Sequence, residues 1–192
     1  MACKPPVAAV RATSVTTVAL EPALSADEAV GQLYAAHWRR LVRLSILLVH
    51  DQGLAEEIVQ DAFVALHGRW SRLRAPEAAA AYLRQSVVNR SRSALRHRKV
   101  VDRYVASQRL PETAPDAGVG VEVEVRRDAV FAALRGLPRR QREVIALRYY
   151  LDLSEADIAE TLGISTGAVK SHASRGSAAL RERLAEQLED LR

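Results

Sequence analysis

Cysteine is almost absent from this chain of 192 residues: Cys3 stands alone. A monomer therefore cannot form a disulfide, and no Cys/His spacing for a metal exists. His37, His50, His67, His97 and His172 are scattered, with no HExxH pair. No Gly-rich phosphate loop is present either, so no metal or other cofactor is expected. Large aromatics are scarce, with two Phe and two Trp. The core must be built from Leu, Val, Ile and Ala, a palette that favours helices over strands. No run reaches the ~18 consecutive apolar residues of a membrane span. The opening residues 1–24 mimic a signal peptide only superficially. Arg11 interrupts their apolar part and Pro5 and Pro6 obstruct a helical start, so a disordered extension is expected.

What the chain does have is charge of both signs, 27% of residues, with a net excess of +5. That balance suits a soluble protein with a polyanionic partner such as nucleic acid. Three zones follow the front extension. Residues 25–100 read as one helical domain and residues 129–192 as a second. Between them, residues 101–128 carry Pro111, Pro115, Gly118 and Gly120 among Glu112, Asp116, Glu122, Glu124 and Asp128. That composition predicts a flexible acidic linker. The expected fold is all-α, two small helical domains.

Ser25-Ala26-Asp27-Glu28 is a capping-box pattern that opens the first helix. Val30, Leu33, Trp38, Leu41, Leu44 and Leu48 then recur at three- and four-residue spacing. Asp51-Gln52-Gly53 reads as a turn before a second helix over 54–70. That helix turns Ile58, Val59, Ala62, Phe63 and Leu66 inward and shows Glu56, Glu57, Gln60 and Asp61 on its other face. A basic loop, residues 71–76, carries Arg72 and Arg74. A third helix over 77–99 buries Tyr82, Leu83, Val87 and Leu95. In the second domain Pro138 fits a first helical position.

The sharpest local signal is SEADIAETLGISTGAVKSHASR, residues 154–175. Ser154 caps a short helix and Ser165 caps a longer one over 166–188, with Gly163 at the turn between them. Ala159 is small enough for close approach, and Ile158, Leu162, Ile164 and Val169 lock the corner. This is the pattern of a helix-turn-helix, whose second helix enters the major groove. With Val169 inward, Ser165, Thr166, Gly167, Lys170, Ser171, Ser174 and Arg175 lie at the groove-facing end or face. Lys170 and Arg175 suit phosphates or guanine edges, and the hydroxyls suit bases or phosphates. His172 is expected against the first helix or at the groove margin.

A second signal is cationic. Arg84, Arg90, Arg92, Arg96, Arg98 and Lys99 gather on the third helix with Gln85 and Asn89 between them, a nucleic-acid edge. The acidic face of Glu56, Glu57 and Asp61 has the opposite sign and should meet a protein.

On these residues the chain resembles a known family. DQGLAEEIVQDAFVALHGRW, residues 51–70, is similar to the polymerase-binding helix of region 2 in sigma-70-type factors. AYLRQSVVNRSRSALRHRK, residues 81–99, resembles the promoter −10 helix. GLPRRQREVIALRYYLDLSEADIAETLGISTGAVKSHASR, residues 136–175, resembles region 4. With no domain between them, the resemblance points to the extracytoplasmic-function subgroup, of the SigE-like actinobacterial type; frequent Ala and Arg suit a GC-rich genome.

The resemblance implies a transcription initiation factor that lends promoter recognition to core RNA polymerase. Glu56, Glu57, Gln60 and Asp61 would dock on the clamp coiled coil of the largest polymerase subunit, and residues 136–150 on the flap. Arg72, Arg74, Tyr82, Arg84, Asn89, Arg92 and Arg96 would serve the −10 element, the loop 71–76 receiving a flipped base. Residues 165–175 would read the −35 element. The acidic linker would thread toward the RNA exit path. Promoter DNA and an anti-sigma factor join polymerase as implied partners, and a cytoplasmic, nucleoid-associated location follows. Two positions depart from the family: His172 where an Arg is frequent and Gly176 where an Ala is. Gly176 inside a helix costs about 1 kcal/mol relative to Ala. The alternative is a LuxR-like regulator acting without being a polymerase subunit, since AVKSH suits that family's recognition helix too. It would need a sensing domain, and residues 25–100 lack the alternating strands and helices of a receiver. A nucleic-acid enzyme would need clustered carboxylates or a metal site, and neither is seen.

Overall fold

A computed structural model describes residues 25–73, 78–106 and 123–189. Helix α1 (Ala26–Val49) starts at the expected capping box. The Glu28 N–H donates to Ser25 Oγ and the Ser25 N–H donates to the Glu28 carboxylate. It ends at His50, whose left-handed backbone (φ 59°) lets its N–H reach Ile46 O at 2.8 Å. Helix α2 (Gln52–His67) begins two residues before the expected start. The reason is Asp51, whose carboxylate accepts the Leu54 N–H at 2.9 Å, so that Asp51-Gln52-Gly53 is a helix cap and not a free turn. A 3-10 turn (Trp70–Arg72) follows. Helix α3 (Ala79–Ala106) completes a three-helix bundle.

The bundle core is Leu33, Leu41, Leu44, Leu48, Ile58, Val59, Phe63, Leu66, Leu83, Val87 and Val88, all buried. Each such side chain contributes about 1.5–3 kcal/mol of burial. The buried hydroxyls of Ser45 and Ser91 satisfy one another across α1 and α3 at 3.3 Å. Tyr34 stacks on Trp38 with ring centres 4.7 Å apart, and both adjoin Phe63.

The second unit holds α4 (Val123–Arg135), α5 (Arg139–Ile145), a π turn (Ala146–Tyr150), α6 (Glu155–Leu162) and α7 (Thr166–Glu189). Pro138 is the N-cap of α5, one residue outside the position expected. Ser154 caps α6, accepting the Asp157 N–H at 3.1 Å. Gly163 (φ 65°) makes the left-handed turn that a side chain would strain. Ser165 then caps α7 by accepting the Ala168 N–H at 3.2 Å.

Helices α3 and α4 both run into the span read as linker, to Ala106 and from Val123. Between Lys99 and Pro111 no Gly or Pro interrupts the sequence, so nothing stops α3 at its expected end. The front extension and residues 107–122 of the expected linker lie outside the described residues. Among the described residues there is no strand, and no helix is long and apolar enough to cross a membrane.

The two units touch. Val144, Leu147, Leu151, Ile158, Leu162 and Val169 join the same apolar cluster as the bundle core. A smaller cluster of Leu134, Leu137 and Ile145 is completed by Ala179 and Leu180 of α7 and by Leu47 of α1.

Candidate nucleic-acid interface

The helix-turn-helix is built as the sequence implied. Ile158, Leu162 and Val169 are buried and Ile164 packs beside them, fixing α6 against α7. Ser165, Thr166, Gly167, Lys170, Ser174 and Arg175 are exposed and Ser171 is half-buried. The Arg175 guanidinium donates to Ser171 Oγ, which lays it along the outer face of α7. Lys170 lies 3.7 Å from Glu155, whose other oxygen is 3.3 Å from Arg148. His172 is half-buried, and its Nδ1 has no partner among the described residues. This face carries exposed cations, hydroxyls and one helix N-terminus, the groups that bind a phosphate backbone and read base edges.

Gly176 does not break α7, which runs through it to Glu189. It marks a close approach instead. An added Cβ would lie 2.9 Å from Ile145 Cγ1 and 3.2 Å from Gln141 Cβ. The missing methyl lets α5 seat directly on the recognition helix.

On α3 the expected −10 residues divide. Tyr82, Asn89 and Arg96 face outward or line open space, as does Arg72 on the 3-10 turn. A groove of about 460 Å³ is lined by Arg69, Tyr82, Gln85, Ser86, Asn89, Arg90 and Ser93. A neighbouring hollow of about 370 Å³ is lined by Arg69, Arg72, Leu73 and Tyr82. Tyr82 belongs to both, so a planar ring sits at the junction of a polar groove and a basic hollow. That is a platform on which an unstacked base can lie. Arg74 lies outside the described residues. Gln85 belongs to the cationic edge read from the sequence; Ser86 and Ser93 were not singled out there. Their spacing from Tyr82, Gln85 and Asn89 puts all five on one stripe of α3, the signal that could have found them.

Arg84 and Arg92 turn the other way, toward the second unit. Arg92 grips Glu143 with two bonds, Nε to Oε1 at 2.8 Å and Nη2 to Oε2 at 2.9 Å. Glu143 is only 2% exposed, and Arg140 reaches the same carboxylate at 3.1 Å. A buried carboxylate is tolerated only with such partners, and removing one costs about 3–5 kcal/mol. Arg84 is half-buried near Asp157 and Glu160 of α6, and desolvation holds its pKa below the ordinary value. Arg142 Nη1 lies 3.0 Å from His50 Nε2, and the Arg40 guanidinium donates to Leu151 O at 3.0 Å. Burial first, then the Arg142 charge, pushes the His50 imidazole down to about 4, so it is neutral and its Nε2 accepts a hydrogen bond from the guanidinium.

The acidic face of α2 is largely open. Glu57, Gln60 and Asp61 are exposed and Glu56 is half-buried, accepting from Gln52 at 3.0 Å. Asp61 is held at 2.7 Å by Arg90 of α3. Val64, 72% exposed, sits one helical turn from Gln60 and Asp61, an apolar centre that sequence reading passed over. Its exposure in an otherwise polar helix face was legible from the period alone.

Residues 33–100 match the profile for sigma-70 region 2, and residues 127–180 match that for sigma-70, region 4. The RNA polymerase sigma-E factor of Streptomyces coelicolor is 34% identical over 75% of this chain and 79% of its own length. The ECF RNA polymerase sigma factor SigM of Mycobacterium tuberculosis is 31% identical, over 79% of this chain and 75% of its own. Among solved structures, the sigma factor RpoE in complex with the anti-sigma factor NepR, from Bartonella quintana, aligns with a TM-score of 0.65. It is 25% identical, over 83% of this chain and 96% of that one. A region 2 match stands where a LuxR-like regulator would carry its sensing domain, and that alternative is not favoured. The chain belongs to the sigma-70 family of RNA polymerase sigma factors, and within it to the extracytoplasmic-function group.

Proposed function

We propose a division of labour within this sigma factor that assigns each face of the molecule to one step of promoter-directed initiation. The outer face of α2, with Glu56, Glu57, Gln60 and Asp61, docks on the clamp coiled coil of core RNA polymerase, and residues 136–150 meet the flap. Ser165, Thr166, Gly167, Lys170, Ser171, Ser174 and Arg175 read the −35 element as duplex. Arg72, Arg74, Tyr82, Arg84, Asn89, Arg92 and Arg96 serve the −10 element as a single strand. The observation that carries this reading is the groove on α3, where Tyr82 stands between polar Gln85 and Asn89 on one side and Arg69 and Arg72 on the other.

Strand separation is then driven by binding energy to unstacked bases, and the chain itself makes and breaks no bond. It acts in the cytoplasm, at the nucleoid. An anti-sigma factor is a further partner, since the aligned sigma factor was solved with one. Residues 25–100 form the region 2 unit, 129–192 the region 4 unit, and 101–128 the connection between them.

The test is reconstitution. The purified chain should co-elute with core polymerase in gel filtration and support run-off transcription from a promoter library. Tyr82→Ala should lower open-complex formation while leaving polymerase binding intact. Tight promoter binding by the free chain, with no polymerase complex, would overturn the reading.

A further inference from the structure

Arg90 belongs to two surfaces at once. It lines the α3 groove together with Tyr82 and Asn89, yet it is absent from the −10 set assigned above. Its Nη1 donates to Asp61 Oδ2 at 2.7 Å, and Asp61 lies on the outer face of α2 assigned to polymerase. The groove lining holds two guanidiniums, Arg69 and Arg90, and no carboxylate. Asp61 is not part of that lining; it holds Arg90 from the α2 side. The pair is open to water, with the Arg90 side chain 36% and the Asp61 side chain 59% exposed, so its worth to stability is small. What it fixes is geometry. A guanidinium carries five N–H donors in a planar fork, and a bond at Nη1 leaves the other edge for a second acceptor. Arg90 stands about 12 Å along α3 from Tyr82, at 1.5 Å per residue, and the same groove joins the two.

We propose that Arg90 is a phosphate contact for the −10 strand and that Asp61 is its positioning residue, acting on strand capture through the guanidinium it holds. This rests on the −10 reading of α3 given above. A phosphate suits the free edge of Arg90, because a planar fork grips two of its oxygens. An untethered arginine gives up its rotamer freedom on binding, whereas one already held has lost much of that freedom beforehand. The Asp61 charge opposes the phosphate, but it is exposed, screened by water and salt, and engaged at Nη1. Positioning therefore outweighs repulsion. One carboxylate then serves two faces, the surface of α2 that meets polymerase and the groove of α3 that meets the strand.

The test uses holoenzyme, with core polymerase loaded to saturation by each variant chain as judged by gel filtration, so that any loss of docking is removed from the readout. The probe is a fluorescent single strand carrying the −10 region of a promoter that the holoenzyme transcribes, titrated by anisotropy at several salt concentrations. Arg90→Ala should weaken strand binding about tenfold and reduce the slope of log affinity against log salt by about 0.7, the share of one phosphate on a single strand. Asp61→Ala should weaken binding about threefold with the slope unchanged, because the guanidinium is still present but no longer held. Asp61→Asn, whose carbonyl oxygen can still accept from Nη1, should recover part of that loss. In the Arg90→Ala chain, Asp61→Ala should cost nothing further. Tighter strand binding by Asp61→Ala would mean that the carboxylate competes with the strand for Arg90, and would overturn the proposal. An equal loss from Asp61→Ala with and without Arg90 would overturn it as well. If Arg90→Ala has no effect while Tyr82→Ala weakens binding, the Arg90 contact alone is wrong; if Tyr82→Ala has no effect either, the −10 reading of the groove falls with it.

Discussion

Gly176→Ala sets two effects of known size against each other inside the recognition helix. Alanine is favoured over glycine in a helix interior by about 1 kcal/mol. Against this, the new Cβ would stand 2.9 Å from Ile145 Cγ1 and 3.3 Å from its Cδ1. Ile145 is 4% exposed and β-branched, so its χ1 is held to one helical rotamer and it cannot swing clear. Overpacking of this kind costs about 1–3 kcal/mol. The expected net is a loss of about 1 kcal/mol, opposite in sign to the propensity effect. The measurement is urea unfolding followed by far-ultraviolet circular dichroism. Tryptophan emission is the internal control: Trp38 and Trp70 both belong to the first unit and should report little change. A double-mutant cycle sharpens the test. Ile145→Ala alone should cost about 2–5 kcal/mol. In that background the Ile145 contacts are gone and the 3.2 Å approach to Gln141 Cβ remains, so Gly176→Ala should stabilise by up to about 1 kcal/mol, a coupling of up to about 2 kcal/mol. Stabilisation of the same size in both backgrounds would refute the close-approach argument and leave Gly176 as an ordinary weak point in a helix.

Three further outcomes are expected. His50 is pushed down to about 4 by burial and by Arg142, while its unfolded value is near 6.5. The stability it contributes is complete above about 6.5 and is lost as pH falls toward 4; discounted for partial solvation this is about 1 kcal/mol, and His37, also lowered by burial, adds in the same direction. Urea midpoints at pH 7 and pH 5 measure it, and His50→Asn, which keeps the left-handed cap, should flatten the dependence. Lys170→Ala and Arg175→Ala should each weaken binding to a −35 duplex and, where the side chain meets a phosphate, reduce the slope of log affinity against log salt by about 0.9, read by anisotropy titration. Phe63→Ala should cost about 3–5 kcal/mol and shift Trp38 emission to the red, because Phe63 underlies the Tyr34–Trp38 stack. An unshifted emission would mean that the ring packs elsewhere.

What the sequence made legible is what local chemistry decides. The Ser25 and Ser154 caps, the glycine at the helix-turn-helix corner and the inward stripe of α2 depend on neighbours a few residues apart, and each appears in the fold. Asp51 shows the limit of that reading. Its neighbours Gln52 and Gly53 suggested a turn, yet one carboxylate accepting one N–H converts them into the first turn of α2. The length of α3 was misjudged for a related reason: charge and polarity do not end a helix, and no breaker stands before Pro111.

The partners of surface arginines are a different matter, because they are set by residues far apart in the chain. Arg92 and Arg96 sit four residues apart on one cationic helix, and no periodicity separates them. One is half-buried in the grip of Glu143, and the other is exposed, with Ser93 of its own helix as a partner. The distinction comes from α5, whose Glu143 is surrounded by Arg139 and Arg140 but needs a third guanidinium from another element to be fully gripped. A lone glutamate among arginines in a run that also contains Val144 and Ile145 was the available hint. An acid at the apolar edge of a short helix is shielded from water, and the cation that satisfies it must come from whatever packs there. Charge runs therefore announce a polyanion-binding surface only up to the point where the protein's own buried acids have taken their share. Here that share includes Arg92, one of the arginines proposed for the −10 strand.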